Sequence, residues 1–511
     1  NYSSTSSIQG CSCTVNSGTV VFNAGHTLSL LNDIKVLGGS VTLNDTSSLL
    51  QTNNVTNTGN ITYKRTTSIL KNNYDFVYWG SPVLNQQLSS IWMCNYGYTF
   101  YTYNTNSVSW SSTTGNTLMT PGIGYISRAV NGVGGWSLNT AWNSNFIGVP
   151  NNGNYTTSII RNGTSVYNLI SNPYPSALDL ESFYEDNNSV LNPNFFFWTH
   201  NTQIANNQYI SGDYAVYNAV LGAGVGTGSS AVSGGNAPDR YADSCQGFFA
   251  VANGSGGTAL FKNSQRTSGN NNGFYKIITP HLVSNTIEKH CLWLNFTNEQ
   301  GLFKQLLLDY AQGATNHTDD LFDTECFNGN TYINFYSLSD TNSCVIQSRA
   351  LPFSSHDTVP LGYSSTISDT FSIYIDHLDG LFENQSVYIE DTLLNQIHDL
   401  KQSPYAFTTD VGTFNNRFIL RYNDNSLSNS NIGNNLSTIT LYPNPTVSML
   451  TILKSVNISI DKIIISEPTG KVVLEQIDKL NQIDVRSLAS GIYLLEAVSG
   501  QEKFTSKFIK E

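Results

Sequence analysis

Between Thr19 and Lys64, apolar and polar residues alternate in bursts only a few residues long: Val20/Phe22, Leu28/Leu30, Ile34/Val36, Val41/Leu43 and Ile61/Tyr63. Asn, Asp and Gly clusters close each burst. Successive side chains of a strand point to opposite faces, so period two over such short runs admits strands and leaves no helical face. The same punctuated alternation returns at Phe371/Ile373/Ile375 and Val387/Ile389. Helices would also need Lys, Glu, Arg and Ala on their outer faces. Here only 12% of residues are charged, about half the globular norm of roughly 25%. Asn, Ser and Thr number 61, 60 and 49 of 511 residues, so amides and hydroxyls do the solvating. The expected class is all-β and multidomain.

With 25 Phe, 28 Tyr and 7 Trp the chain has enough apolar area to offset chain entropy and fold. A net charge of −12 supplies no clustered Lys and Arg for phosphates, which argues against nucleic acid and anionic lipid as partners. No apolar run is long enough to span a membrane as a helix. Asn1 to Gly10 are polar and lack an apolar leader pattern, so residue 1 reads as a processed or trimmed terminus. The cysteines at 11, 13, 94, 245, 291, 326 and 344 are too scattered for a disulfide scaffold. Buried thiols are expected, with one candidate bridge between Cys326 and Cys344.

The chain divides by pattern. Residues 1–70 read as a short-strand ladder, a β-solenoid cap or a meander. Residues 75–280 carry an aromatic-rich duplication. Tyr78-Trp79-Gly80-Ser81-Pro82, Phe100-Tyr101-Thr102-Tyr103 and Gly124-Tyr125 in one half answer to Ile170-Ser171-Asn172-Pro173, Phe195-Phe196-Phe197-Trp198 and Gly247-Phe248 in the other. Pro82 to Pro173 is an offset of 91 and Gly124 to Gly247 one of 123, which places an insertion in the Gly/Ser-rich stretch at 211–240. Two similar antiparallel units that pack together are expected. Residues 288–423 read as an antiparallel β-sandwich, and 424–439 as a flexible Asn/Ser linker. Residues 440–511 then change composition, with 16 charged residues in 72.

That last segment opens with Leu441-Tyr442-Pro443-Asn444-Pro445 and continues through Glu467-Pro468-Thr469-Gly470-Lys471-Val472. It ends with Ser490-Gly491-Ile492-Tyr493 and Lys507-Phe508-Ile509-Lys510. In this order the blocks resemble the type A C-terminal sorting domain of the Bacteroidetes type IX secretion system. Glu467-Pro468 departs from the Asp or Asn usual before the turn, but Pro suits the second position of a tight turn. The resemblance implies a small Ig-like β-sandwich and export across the outer membrane by the translocon. It also implies handover to a shuttle β-barrel, removal of the tail by a surface sortase, and Tyr442, Pro443, Asn444, Pro445, Gly470, Lys471, Gly491, Ile492, Tyr493, Lys507 and Phe508 as the sorting signal. Gly470 and Gly491 are expected where a turn or a close approach needs them. Body segments such as Tyr78-Trp79-Gly80-Ser81-Pro82 and Ser171-Asn172-Pro173-Tyr174-Pro175 are similar to β modules of Bacteroidetes surface proteins.

No nucleophile elbow, His-Glu-x-x-His helix, P-loop or dinucleotide fingerprint occurs, so no catalytic residue is assigned. Asp319, Asp320, Asp323 and Glu325 are candidate hard-oxygen ligands for Ca²⁺ without EF-hand spacing. Thr358 and Thr392 lie in Asp-Thr-aliphatic triplets that Bacteroidetes glycosylate on exported proteins. Aromatics at 79–198 are candidates for stacking on surface glycans. The expectation is a non-enzymatic extracellular protein at the cell surface, associated with the outer membrane, with an adhesion or accessory role. The alternative is a secreted polysaccharide-binding or polysaccharide-degrading protein.

Overall fold

The structure is a computed structural model. It describes residues 1–71, 73, 75–91, 100–128, 131–133, 135–199, 204–205, 208–209, 213–228, 237–272, 287–326, 332–340, 342–424, 440–442, 444–453, 460–468, 470–477, 482–499 and 502–511. Two compact units result, Asn1–Asp424 and Asn425–Glu511. Most of the proposed linker, 425–439, lies outside the described residues.

The alternating bursts at the N-terminus become three parallel ladders. Tyr2–Ser3, Thr19–Phe22 and Ser40–Leu43 stack in one, Ile8–Gly10, Thr27–Leu30 and Ser48–Gln51 in a second, and Cys13–Val15 with Ile34–Val36 in a third. Val20 faces Val41, Leu28 faces Leu49 and Cys13 faces Ile34, each a step of 21 residues. Strands adjacent in sequence therefore lie in different ladders, whereas a meander would pair them as hairpins. The inward positions Phe22, Leu28, Leu30, Ile34, Val41, Leu43 and Leu49 form one core. Amide side chains stack on the rungs, as where Asn53 Nδ2 donates to Asn32 Oδ1 at 2.9 Å. Ile61–Leu70 adds parallel to Ser40–Leu43 and pairs antiparallel with Thr140–Gly148, so the ladder and the aromatic region share a sheet.

Two sheets then repeat one plan. The first contains β1 (Phe76–Trp79), β2 (Phe100–Asn104), β3 (Ser109–Thr113) and β4 (Tyr125–Arg128), in the order β1-β4-β2-β3. The second contains β5 (Tyr167–Ser171), β6 (Leu191–Trp198), β7 (Tyr214–Asn218), β8 (Ala223–Val225) and β9 (Gly247–Ala252), in the order β5-β9-β6-β7-β8. Strand for strand the orders agree, with β8 added at the end. The registers agree as well. Trp79 faces Tyr125 as Ile170 faces Phe248, Phe100 faces Ser127 as Phe195 faces Ala250, and Tyr103 faces Trp110 as Trp198 faces Tyr214.

The copies meet through matching contacts. The Gly80 N–H donates to the Cys245 carbonyl at 2.8 Å, and the equivalent Ser171 N–H donates to the Gly122 carbonyl at 3.0 Å. Trp79 bridges to Gln246 as Ile170 bridges to Ile123. This backbone approach explains the glycine at 80, where a Cβ would lie 2.4 Å from the Ser171 Cβ, and at 124, where it would lie 2.6 Å from the Leu169 Cγ.

Residues 289–421 form a single sheet that includes β10 (Lys289–Asn298), β11 (Phe303–Ala311) and β12 (Asn342–Ala350). It differs from the expected pair of antiparallel sheets in two ways. β11 and β12 run parallel, Leu307 facing Ile346. The long twisted strands also curl the sheet onto itself, so Phe407 on one end strand lies 4.6 Å from Phe418 and packs with Phe296 and Tyr363 in the enclosed core. The other face of β10, β11 and β12 packs Trp293, Leu307 and Ile346 with Phe196, Val216, Leu221 and Val225 of the second repeat sheet.

The second unit has two antiparallel sheets sharing a core of Leu450, Ile452, Ile463, Ile465, Ile483, Leu495 and Phe508. One sheet contains Thr440–Tyr442, Met449–Leu453 and Gln482–Asp484. The other contains β13 (Lys462–Ser466), β14 (Val472–Gln476), β15 (Gly491–Ser499) and β16 (Glu502–Lys510).

Candidate functional site

In the second unit Asn444, one of the residues expected to form the sorting signal, binds the unit's opening to its final strand. Asn444 receives the Ile509 N–H on Oδ1 at 2.9 Å and donates Nδ2 to the Lys507 carbonyl at 3.1 Å. The Thr446 N–H donates to the Ile509 carbonyl at 2.9 Å, extending the clamp. Tyr442 ends its strand opposite Thr451, Pro445 is exposed, and Pro443 lies outside the described residues. Gly470 takes a φ of 87° and closes a turn by donating to the Glu467 carbonyl at 2.8 Å, the handedness only glycine adopts cheaply. Lys471 follows it, exposed. Gly491 differs from expectation: a Cβ there would meet only the Tyr493 ring at 3.8 Å, so no close approach requires glycine. Tyr493 stacks on Phe508 at 5.7 Å inside the core and donates its hydroxyl to the Ala489 carbonyl at 3.0 Å. Their neighbours Ile492 and Ile509 face each other across β15 and β16 and stay 48% and 40% exposed.

In the first unit the repeat brings together an aromatic cluster. Tyr103 and Trp110 pair across β2 and β3 at 5.2 Å and 69°, and Trp198 and Tyr214 pair across β6 and β7 at 5.1 Å and 65°. Both pairs converge on Tyr78 and Phe249. The Tyr78 ring lies 5.9 Å from Trp110 and stacks at 6.0 Å on Trp198, and its hydroxyl bonds the Tyr214 hydroxyl at 2.8 Å. Phe249 lies 4.8 Å from Tyr103 and 5.7 Å from Tyr214. Edge-to-face packing of this kind adds stability beyond area burial. Burial raises the Tyr103 and Tyr214 hydroxyls above the usual tyrosine range. Of the sequence-singled tryptophans, Trp79, Trp136 and Trp142 are core, and Trp92 lies outside the described residues.

The acidic run does not converge. Asp323 is buried, and its two oxygens accept the Asp319 and Ser348 N–H groups at 3.0 and 2.9 Å, while burial pushes its pKa up to about 6. Asp319 accepts the Leu321 N–H at 3.1 Å, Glu325 accepts Asn342 Nδ2 at 2.7 Å, and Asp320 contributes its main-chain carbonyl to Asn192. Among the described residues no three His, Cys, Asp or Glu side chains are placed to hold a metal. Thr358 is exposed on its strand, whereas Thr392 donates its hydroxyl to the Asn416 carbonyl at 2.7 Å. The aspartates before them are taken by arginines, Asp357 by Arg349 and Asp391 by Arg417. Cys326 and Cys344 are free thiols, Cys326 donating to Asn334 Oδ1 at 3.3 Å.

Two buried charged groups escaped sequence reasoning. Arg65, fully buried on the ladder's last strand, donates to Asp243, 178 residues away, and to the Asn271 carbonyl at 2.9 Å. Asp309 on β11 lies in a row between Cys291 on β10 and Ser348 on β12, and the Ser348 hydroxyl donates to its Oδ1. Its Oδ2 finds no partner among the described residues, and burial pushes its pKa up to about 8. Neither carries a local motif, because each is defined by strands distant in sequence.

Comparison with known proteins agrees with the two units. A family model described as "Domain of unknown function (DUF8693)" matches residues 2–422, and one described as "Secretion system C-terminal sorting domain" matches 440–511. No curated protein matches the chain. Among solved structures, the crystal structure of dimeric latent PorU from Porphyromonas gingivalis is similar at 11% identity and a TM-score of 0.13 over 73% of this chain. The chain spans 36% of that structure's length, and so low a score carries no argument about fold. No helix among the described residues is long and apolar enough to cross a membrane. By its first 422 residues the chain belongs to the DUF8693 family, and by its last 72 it is a type IX secretion cargo protein bearing the C-terminal sorting domain.

Proposed function

We infer that residues 1–424 work outside the cell as a surface-displayed binding body with an adhesion or accessory role. The sorting domain at 440–511 carries this reading, because it directs export to the cell surface or extracellular space. The tail's partners are then the translocon, the outer-membrane shuttle β-barrel and a surface sortase. A hydroxyl- and amide-rich body with only 44 charged residues in 424 suits that setting. The test compares attachment of cells carrying and lacking this chain, together with copurification of the full chain from native membranes. The reading expects reduced attachment without the chain and recovery of the secretion barrel with it. Unchanged attachment would reject the adhesion role.

A polysaccharide-binding role is the second reading, favoured by the exposed Trp110 at the edge of an aromatic cluster whose centre, Tyr78 and Phe249, is buried. The carboxylates Asp179 and Glu181 are both engaged by Arg240, and Glu181 also accepts the Tyr217 hydroxyl at 2.7 Å, so they serve an ion-pair network.

A further inference from the structure

The repeat supplies an internal control for its own aromatic pairs. Trp110 and Tyr214 hold equivalent positions, yet β7 is covered by β8, Val216 facing Val225, while β3 ends its sheet among the described residues. Ser109, Trp110, Ser111 and Ser112 are consequently exposed on both faces of β3, with Trp110 at 39%. The pair is also inverted: the covered copy has tyrosine at this position and the open copy has the larger indole.

Indole N–H groups in a fold normally find an acceptor. Those of Trp79, Trp136, Trp142 and Trp293 donate to Ser127 Oγ and to the carbonyls of Thr140, Ile91 and Gly224. The Trp110 N–H has no acceptor among the described residues, and neither the Tyr103 hydroxyl nor those of Ser111 and Ser112 is engaged there. From Phe100 to Thr114 the hairpin contains no ionisable side chain except its tyrosines. An aromatic face, idle neutral donors and hydroxyls, and no charge together describe a ligand that is apolar on one side, hydroxylated at its rim and uncharged.

We propose that Trp110, braced by Tyr103 and flanked by Ser112, is the stacking platform of a binding site for neutral polysaccharide. This rests on the surface-binding reading and names its ligand class. The C–H face of a pyranose ring lies on the indole, and the ring hydroxyls exchange hydrogen bonds with the Trp110 N–H, the Tyr103 hydroxyl and the Ser112 hydroxyl on the same face of the hairpin. Because β3 is an open edge among the described residues, the site takes an internal stretch of an extended chain in preference to a monosaccharide.

The experiment is calorimetric titration of the full chain with cellohexaose, xylohexaose, mannohexaose and maltohexaose, and with hexagalacturonate as the charged control. At least one neutral hexasaccharide binds, hexagalacturonate does not, and raising salt from about 0.05 to about 0.5 M leaves the affinity within about twofold. Trp110→Ala lowers that affinity at least about tenfold, whereas Trp110→Phe, which keeps a ring against Tyr78, Tyr103 and Phe249, retains part of it with a melting temperature close to wild type. Failure of all four neutral sugars to bind, or wild-type affinity in Trp110→Ala, overturns the proposal. Loss of the saccharide site with cell attachment intact would leave the surface-binding reading standing. Sugar binding by a chain whose removal does not affect attachment would reject adhesion alone.

Discussion

Trp110 and Tyr214 occupy the same position in two copies of one sheet, each pairing across a hairpin with an aromatic partner at 5.2 and 5.1 Å. Among the described residues Tyr214 is covered by an additional strand and bonds the Tyr78 hydroxyl, whereas Trp110 lies on an end strand. Equivalent residues have thus been given different work, one building the interior of the cluster and the other facing solvent.

Stability should divide along the same line. Tyr214→Ala removes a packed ring and a buried hydrogen bond and is expected to cost about 3–5 kcal/mol. Trp110→Ala, at an exposed edge but in ring contact with Tyr78, Tyr103 and Phe249, is expected to cost less, about 1–2 kcal/mol. Chemical denaturation of both variants checks this, and equal losses would contradict the assignment of Trp110 to the surface.

The close approach of the copies predicts intolerance at the glycines that permit it. A Cβ at Gly80 or Gly124 meets Ser171 or Leu169 inside van der Waals contact, so Gly80→Ala and Gly124→Ala should each cost about 1–3 kcal/mol. Gly132, with a φ of 81° and no neighbour within 4 Å, is the control, where alanine costs only the local backbone strain of about 1–2 kcal/mol. Melting temperatures that fall more for Gly132→Ala than for Gly124→Ala would refute the packing argument.

Asp309 predicts a pH dependence. Its folded pKa of about 8 lies above the unfolded value of about 3.9. The folded state therefore holds more protons between these values, and stability falls as pH rises from about 4 to about 8, then levels. Asp323, raised to about 6, adds slope of the same sign below that pH. Asp309→Asn keeps the neutral form, so it should raise stability near pH 7.5 and flatten the decline above about pH 6. Parallel pH profiles for variant and wild type would show that Asp309 ionises without cost.

Breaking the Arg65–Asp243 pair should loosen the join between ladder and repeat. Asp243→Ala leaves a buried guanidinium without its closest carboxylate and is expected to cost about 3–5 kcal/mol. A loss below about 1 kcal/mol in urea denaturation would mean that the Asn271 carbonyl and Asp45 suffice.

How much of this was legible in the sequence depended on how local each determinant is. The tail is a linear motif, so Asn444, Gly470 and Tyr493 could be marked before their contacts were known. The repeat was legible because both copies need the same close approach, which preserves Pro82 against Pro173 and Gly124 against Gly247 at offsets that the strand registers share. Alternation identified strands but not their partners: period two is the same for parallel and antiparallel neighbours, so residues 1–70 stayed open between a β-solenoid cap and a meander, and the parallel β11–β12 pair could not be read. Gly491 was assigned a steric role that its open surroundings do not require. The acidic run at 319–325 looked like a ligand set because composition does not show that backbone N–H groups occupy both oxygens of Asp323 and that Glu325 is turned to Asn342. Arg65 and Asp309 were invisible because their environments are assembled from strands far apart in sequence.

The most direct test of the account is protease accessibility on intact cells of a type IX-competent host, comparing the full chain with a variant ending at Asp424. The full chain should reach the surface and be digested from outside, and the truncated body should remain protected within the cell envelope. Equal surface exposure of the two would contradict the central claim that residues 440–511 deliver this body to the cell exterior.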